Sequence, residues 1–219
     1  MATRPQRRAA GRFRRPPAAR RKRSAHQSAQ AWLEAARAEL IENGILAVKV
    51  ERLARRMRVT RGSFYWHFKS HGDLLRRLLQ HWIATNTTPF ERTLRADRNG
   101  VAEFQAIVDL WVSEREYSPR YDAAVREWAR VSADVARVVL AADQKRIAVL
   151  RRIFLDLGYR DPEALVRARI TYFHQVGYYT LGLRESLATR LKLGPYYTKV
   201  LLGNGRRRRG LLSAIAAIE

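Results

Sequence analysis

Apolar residues recur along most of this chain at three- and four-residue spacing, which lays them on one face of an α-helix. Leu33, Ala36 and Leu40 do so first, with Ile41 beside them, and Asn43-Gly44 ends the run because glycine suits the left-handed position after a last turn. A short helix follows, carrying Val50, Leu53, Ala54 and Met57, and a third begins at Thr60 as its cap and ends near His67. Ser70, with Asp73 three residues on, reads as a capping box before Leu74, Leu75, Leu78, Leu79 and Trp82, a helix expected to reach about Thr85. Beyond Pro89 the same period predicts helices over about 100–117, 120–131, 132–158 and 161–186, the last opening on Asp161-Pro162. A short final helix is expected near Pro195 to Leu202. No segment alternates with period two between hairpin turns, so the predicted class is all-α.

The second and third helices enclose a tight turn, and together they form a helix-turn-helix over Val50 to Phe68. Leu53, Ala54, Val59, Phe64 and Phe68 are the expected buried positions, small Ala54 allowing close approach. The outward face of the third helix should then carry Arg61, Ser63, Trp66 and His67, with Tyr65 at its edge. Such a helix fits the major groove of B-DNA. Gly62 is costly inside a helix, by about 1 kcal/mol, which suggests that a phosphate or base edge approaches the backbone there.

Charge sharpens this picture. The 219 residues hold 43 Lys+Arg against 20 Asp+Glu, a net charge of +23. Residues 1–27 hold ten of the basic residues and no acid, and Arg206 to Arg209 add four more. Residues 1–27 and 204–219 therefore read as basic tails, around a DNA-binding domain over 28–85 and a helical domain over 86–203. A polyanionic partner, nucleic acid before acidic membrane, is the expectation. There is no cysteine, hence no disulfide and no thiolate metal site. No apolar run approaches a bilayer span, and the Arg-rich leader has no apolar core, so a cytoplasmic protein with no membrane association is expected. No Gly-rich phosphate loop or His-Glu-x-x-His is present, and His26, His67, His71, His81 and His174 do not pair with carboxylates at metal-ligand spacing. No catalytic residue, metal or cofactor is implied.

The order Leu53-Ala54, Val59-Thr60, Gly62, Tyr65-Trp66-His67-Phe68 and Ser70 to Leu75 resembles the DNA-binding segment of the TetR family of one-component repressors. The likeness covers about residues 30 to 80. It departs from the family at Met57-Arg58, where Ala-Gly is usual, at the uncapped Val48-Lys49, and at His71-Gly72, where Lys-Glu is common. The resemblance implies phosphate contacts from Tyr65, His67 and Lys69, base or backbone contacts from Thr60, Arg61, Ser63 and Trp66, and added cationic contacts from Arg55 and Arg58. It also implies a homodimer on double-stranded DNA with an inverted-repeat operator, and a small-molecule effector that controls release.

The C-terminal half matches the family only in length, helix count and position. Its aromatic residues, Trp111, Tyr121, Trp128, Tyr172, His174 and Tyr178, with Tyr117 and Tyr179, are candidate lining for an effector pocket, though aromatics at helical spacing also make plain core. Gly177 and Gly182 mark a candidate dimer surface or close internal packing. A second reading stays open: a protein that coats nucleic acid without sequence preference, driven by its Arg-rich tails. A third is a small-molecule-binding module held to acidic membrane by those tails.

Overall fold

The computed structural model describes residues 28–95, 99–183 and 185–203, and both basic tails lie outside them. Every regular element among the described residues is helical: α1 Ala29–Asn43, a 3-10 turn Ile45–Ala47, α2 Val50–Met57, α3 Arg61–Tyr65, α4 His71–Asn86, α5 Thr88–Glu91, α6 Gly100–Ser113, α7 Pro119–Arg130, α8 Ala133–Asp156, α9 Glu163–Thr180 and α10 Leu187–Leu202. The all-α expectation holds, with an N-terminal helix-turn-helix domain and a helical C-terminal region.

Side-chain caps set most of the starts. Ser28, Ser70, Ser118, Ser132 and Ser186 each accept a backbone N–H from the first turn they open, and the Asn99 carboxamide accepts two. Ser186 explains why α10 is much longer than expected. The helix starts at its cap and continues through Pro195, whose missing N–H leaves the Leu191 carbonyl without its usual donor. At the other end, α6 stops at Ser113 because Glu114 turns left-handed, so Tyr117 lies in a loop. Asp161, the expected cap, stands one residue before the cap position. Pro162 precedes α9 without a side-chain cap, and the Asp161 carboxylate pairs with Arg151 instead. α9 ends at Thr180, and Gly182, at φ +67, supplies the left-handed residue beyond it. Gly100 permits a close approach that the sequence pattern did not reveal: a Cβ there would lie 3.0 Å from the Ile153 carbonyl oxygen.

Two apolar clusters organise the packing. The first joins Trp32, Leu40, Leu53, Phe64, Phe68, Leu74, Leu78 and Trp82 to Tyr121, Val125 and Trp128 of α7 and to Val135, Val139 and Ala142 of α8. The second contains Phe90, Phe104, Ile107, Trp111, Leu150, Ile153, Phe154, Ala168 and Tyr172. Thus the core under the helix-turn-helix continues past residue 85 along α7 and into the first half of α8.

Between these clusters lies a buried polar network. Arg146 is 0% exposed and donates to the Tyr172 hydroxyl, the Thr87 hydroxyl and the Asp122 carboxylate, each at 3.0 Å. Its guanidinium also lies over the Trp82, Phe90 and Tyr117 rings. Asp122 accepts from Trp82 Nε1 at 3.2 Å and Arg126 Nε at 2.8 Å, while Arg126 holds Asp143 through both terminal nitrogens. Burial by itself raises the Asp122 carboxyl, but Arg146 and Arg126 outweigh it and hold the pKa below the usual carboxylate value. Two cations and two anions are therefore matched inside the fold.

Candidate nucleic-acid interface

The helix-turn-helix is fixed from behind by apolar packing and from the side by ion pairs. Phe64 and Phe68 stack with centroids 5.0 Å apart, and Trp32 of α1 meets Phe64 edge-on at 5.3 Å. Arg52 and Arg56 of α2 both pair with the buried Glu39 of α1, and Arg56 also reaches Glu42. The turn passes through Arg58 at φ 57 and ψ 41, where its N–H bonds back to the end of α2. A left-handed non-glycine residue costs about 1–2 kcal/mol, so the strain expected from the missing glycine is present.

Behind α3, Ser70 Oγ accepts the Asp73 N–H at 3.1 Å, and the Asp73 carboxylate accepts the Lys69 N–H at 3.1 Å. The reciprocal bond thus falls one residue earlier than in a standard capping box. That backbone donor, followed by Arg77 and Arg76, keeps the Asp73 carboxyl below its ordinary pKa. His71 Nε2 lies 2.7 Å from the Val48 carbonyl, tying the start of α4 to the segment before α2.

What remains outside is cationic and aromatic. Trp66 is 79% exposed and Tyr65 52%. Arg61 is held between Glu51 at 3.1 Å and the Tyr65 hydroxyl at 3.2 Å, a partnership across α2 and α3 that the sequence did not reveal. Thr60, Gly62, Arg55, Arg58 and Lys69 are all exposed. Among the described residues, the Arg55, Arg58 and Lys69 side chains form no ion pair. Thr60 stands at the start of α3, yet its hydroxyl makes no cap bond.

Ser63 differs from expectation. It is 6% exposed and points inward, because in so short a helix it shares the inner side with Phe64. His67 is half-buried, with its Nε2 unpartnered. Among the described residues, Gly62 meets only the Thr60 hydroxyl, at 3.8 Å from an added Cβ, so none of them requires glycine there.

A separate cavity, open to solvent on one side, lies between α6, α9 and α10, with a volume of about 80 Å³. Of the aromatic candidates, Trp111, His174 and Tyr178 line it. Tyr121, Trp128 and Tyr172 do not. Tyr121 donates to the Leu78 carbonyl at 2.7 Å inside the first cluster, Trp128 packs beside it, and Tyr172 belongs to the Arg146 network. Gln175, Arg190 and Tyr197 also face the cavity, polar or distant in sequence and so invisible to a search for aromatic periodicity. Burial lowers the His174 pKa, which favours the neutral imidazole at pH 7. No helix among the described residues is long and apolar enough to cross a membrane, and no group of three metal-ligating side chains occurs among them.

Residues 33–78 match the family described as bacterial regulatory proteins, tetR family. No curated protein matches the chain. Among solved structures, the fatty acid degradation regulator FadR from Bacillus halodurans aligns with TM-score 0.61 and 14% identity, over 82% of this chain and 100% of that one. A transcriptional regulator from Rhodococcus sp. Rha1 aligns with TM-score 0.57 and 19% identity, over 80% and 92%. SmeT, the repressor of the Stenotrophomonas maltophilia multidrug efflux pump SmeDEF, aligns with TM-score 0.54 and 20% identity, over 82% and 88%. These three share the fold of the present chain.

Proposed function

We propose that this chain, whose N-terminal domain is that of the tetR family of bacterial regulatory proteins, is a homodimeric repressor that grips an inverted-repeat operator and releases it when its effector cavity fills. The observation carrying this reading is the exposed flank of α3. Trp66 and Tyr65 are exposed beside Arg61, and Arg55, Arg58 and Lys69, exposed on the flanking segments, form no ion pair among the described residues. Exposed cations with no internal carboxylate are free to neutralise phosphates and release counterions, which supplies affinity. Side chains on a helix laid in the major groove supply discrimination, about 1–3 kcal/mol for a good base contact. Gly62 suits this arrangement, since its open side lets a phosphate or base edge approach the backbone from outside. Thr60, Arg61, Tyr65 and Trp66 are the proposed readers, with His67 as a lesser, half-buried contact.

Dimerisation is supported by an apolar stripe on α9. Val166, Ile170, Phe173, Gly177 and Leu181 follow one another at three or four residues, and the four large ones are exposed. Leu191, Tyr196 and Val200 add an exposed apolar surface on α10. A two-fold axis through such a surface covers it with its own copy. Gly177 fits this surface by leaving room for the partner, whereas Gly182 only ends the helix. Two α3 helices then meet successive major grooves roughly 34–36 Å apart.

Release requires the effector to favour one of two arrangements. Gln175 of α9 lies at the cavity and Tyr172 lies one turn earlier, where its hydroxyl accepts from Arg146. Arg146 in turn holds Thr87, between α4 and α5, and Asp122, which accepts from Trp82 of α4. The hydrogen bonds begin at Tyr172, one turn from the cavity wall on the same helix, and this helical link plus the Arg146 network supports communication between the cavity and the helix behind α3.

Selection of bound sequences from a random duplex pool tests the reading. An enriched palindrome with half-sites one helical turn apart is the expected result. Equal retention of all sequences would instead favour a coating protein.

A further inference from the structure

We infer that the cavity between α6, α9 and α10 takes a compact, ring-bearing apolar molecule that carries an oxygen acceptor, a carbonyl or carboxylate, and that it discriminates against ammonium cations. This rests on the cavity being the effector site, and it adds the chemical class of the effector.

The apolar body follows from the walls. Phe104, Val108 and Trp111 of α6 face Leu201 of α10, and the His174 and Tyr197 rings pack with centroids 4.7 Å apart. A flat molecule gains most from such walls, because ring faces and edges meet it over a large area.

The acceptor follows from the Trp111 indole, which can only donate, beside the Gln175 carboxamide, which can turn its NH2 to the same group. Trp111 is 5% exposed and Gln175 is 8% exposed, and both face the cavity. The Trp111 indole Nε1 and the Gln175 Nε2 are buried without a hydrogen-bond partner. Buried donors in folded proteins are nearly always paired. An indole N–H can only donate, so the group that satisfies it must be an acceptor.

Discrimination by charge follows from the only charged side chain among the lining residues, Arg190. It is locked by Glu114 at 2.8 Å, the Trp111 carbonyl at 2.9 Å and the Tyr179 hydroxyl at 3.0 Å. Among the described residues, no aspartate or glutamate lines the cavity. An ammonium entering it would lose its water with no wall carboxylate to receive it, since the Arg190 charge is already matched by Glu114.

Calorimetric titration of the full chain with four probes of one shape tests the assignment: 1-naphthoate, 1-acetylnaphthalene, 1-naphthylmethylammonium and naphthalene. The two oxygen-bearing probes should bind at least tenfold more tightly than the other two. Naphthoate ahead of acetylnaphthalene assigns a carboxylate, and equal binding assigns a neutral carbonyl. Trp111→Phe keeps a ring but removes the donor, and should weaken naphthoate tenfold while leaving naphthalene unchanged. Gln175→Leu, which does not disturb the indole packing, should act in the same direction. Val108→Trp should fill the cavity and abolish all binding. If the ammonium or the bare hydrocarbon binds as well as naphthoate and Val108→Trp abolishes it, the acceptor class is overturned while the effector site stands. If no probe binds, or binding survives Val108→Trp, the effector-site reading fails and the class falls with it.

Discussion

The surface around α3 and the interior of the C-terminal half treat arginine in opposite ways. Around α3, Arg55 and Arg58 stay exposed and form no ion pair among the described residues, and Arg61 has only the exposed Glu51 as its counter-charge. In the C-terminal half, Arg146 is wholly buried and Arg126 largely so, and both are bound to Asp122 and Asp143. A solvated, unpaired cation contributes little to folding and remains available to a phosphate. A buried, paired cation has already lost its water, and its partners fix its position. The first is thus built to meet an external polyanion. The second uses its charges to hold α4, α5, α7, α8 and α9 in one arrangement.

Substitutions in each half should separate these roles. The largest losses of stability belong to the packed and charged interior. Phe64→Ala should cost about 3–5 kcal/mol, read as a fall in the denaturation midpoint, because it empties the site between Trp32 and Phe68. Asp122→Ala should cost a similar amount, about 3–5 kcal/mol, since Arg146 would stay buried beside a missing anion. Adding Arg146→Met to that variant should recover part of the loss. Costs that simply add would mean that the two residues are not coupled.

The same carboxylate predicts a pH dependence. Its folded pKa lies below its ordinary 3.8, so its stabilising contribution is complete above that value and disappears as pH falls through the lower, folded value. Acid titration of stability should show a loss there that Asp122→Asn flattens. In the exposed half, Lys69→Ala should leave stability within about 0.5 kcal/mol, weaken all duplexes alike and lower the salt slope by about one unit. Arg58→Gly should also change folding little. Relief of the left-handed strain opposes glycine's greater unfolded freedom, so the net change should stay within about 1 kcal/mol, while duplex affinity falls with the lost charge.

The contrast also explains what could be read from the residues alone. The helix-turn-helix is local: Leu53, Ala54, Phe64, Phe68 and the Ser70 cap lie within twenty residues, and their spacing sets which side faces out. Ser63 escaped this logic because α3 is only five residues long, too short for a regular outer stripe. In the C-terminal half, periodicity located the helices but not their partners. Tyr121, Tyr172 and Trp111 look alike in sequence. Yet one bonds to the Leu78 carbonyl, one joins the Arg146 network, and one faces the cavity. Contacts between residues more than twenty positions apart made that difference. Ser186 was a legible cap for α10, but Pro195 is so strong a helix-start signal that it drew the expected boundary to itself.

Fluorescence anisotropy of the duplex enriched from the random pool, measured for the native chain and for Tyr65→Ala/Trp66→Ala, tests the exposed flank of α3 most directly. The paired substitution should abolish the preference for that duplex over a scrambled one while leaving the melting temperature unchanged. Undiminished preference in a folded variant would contradict the assignment of α3 as the reading element.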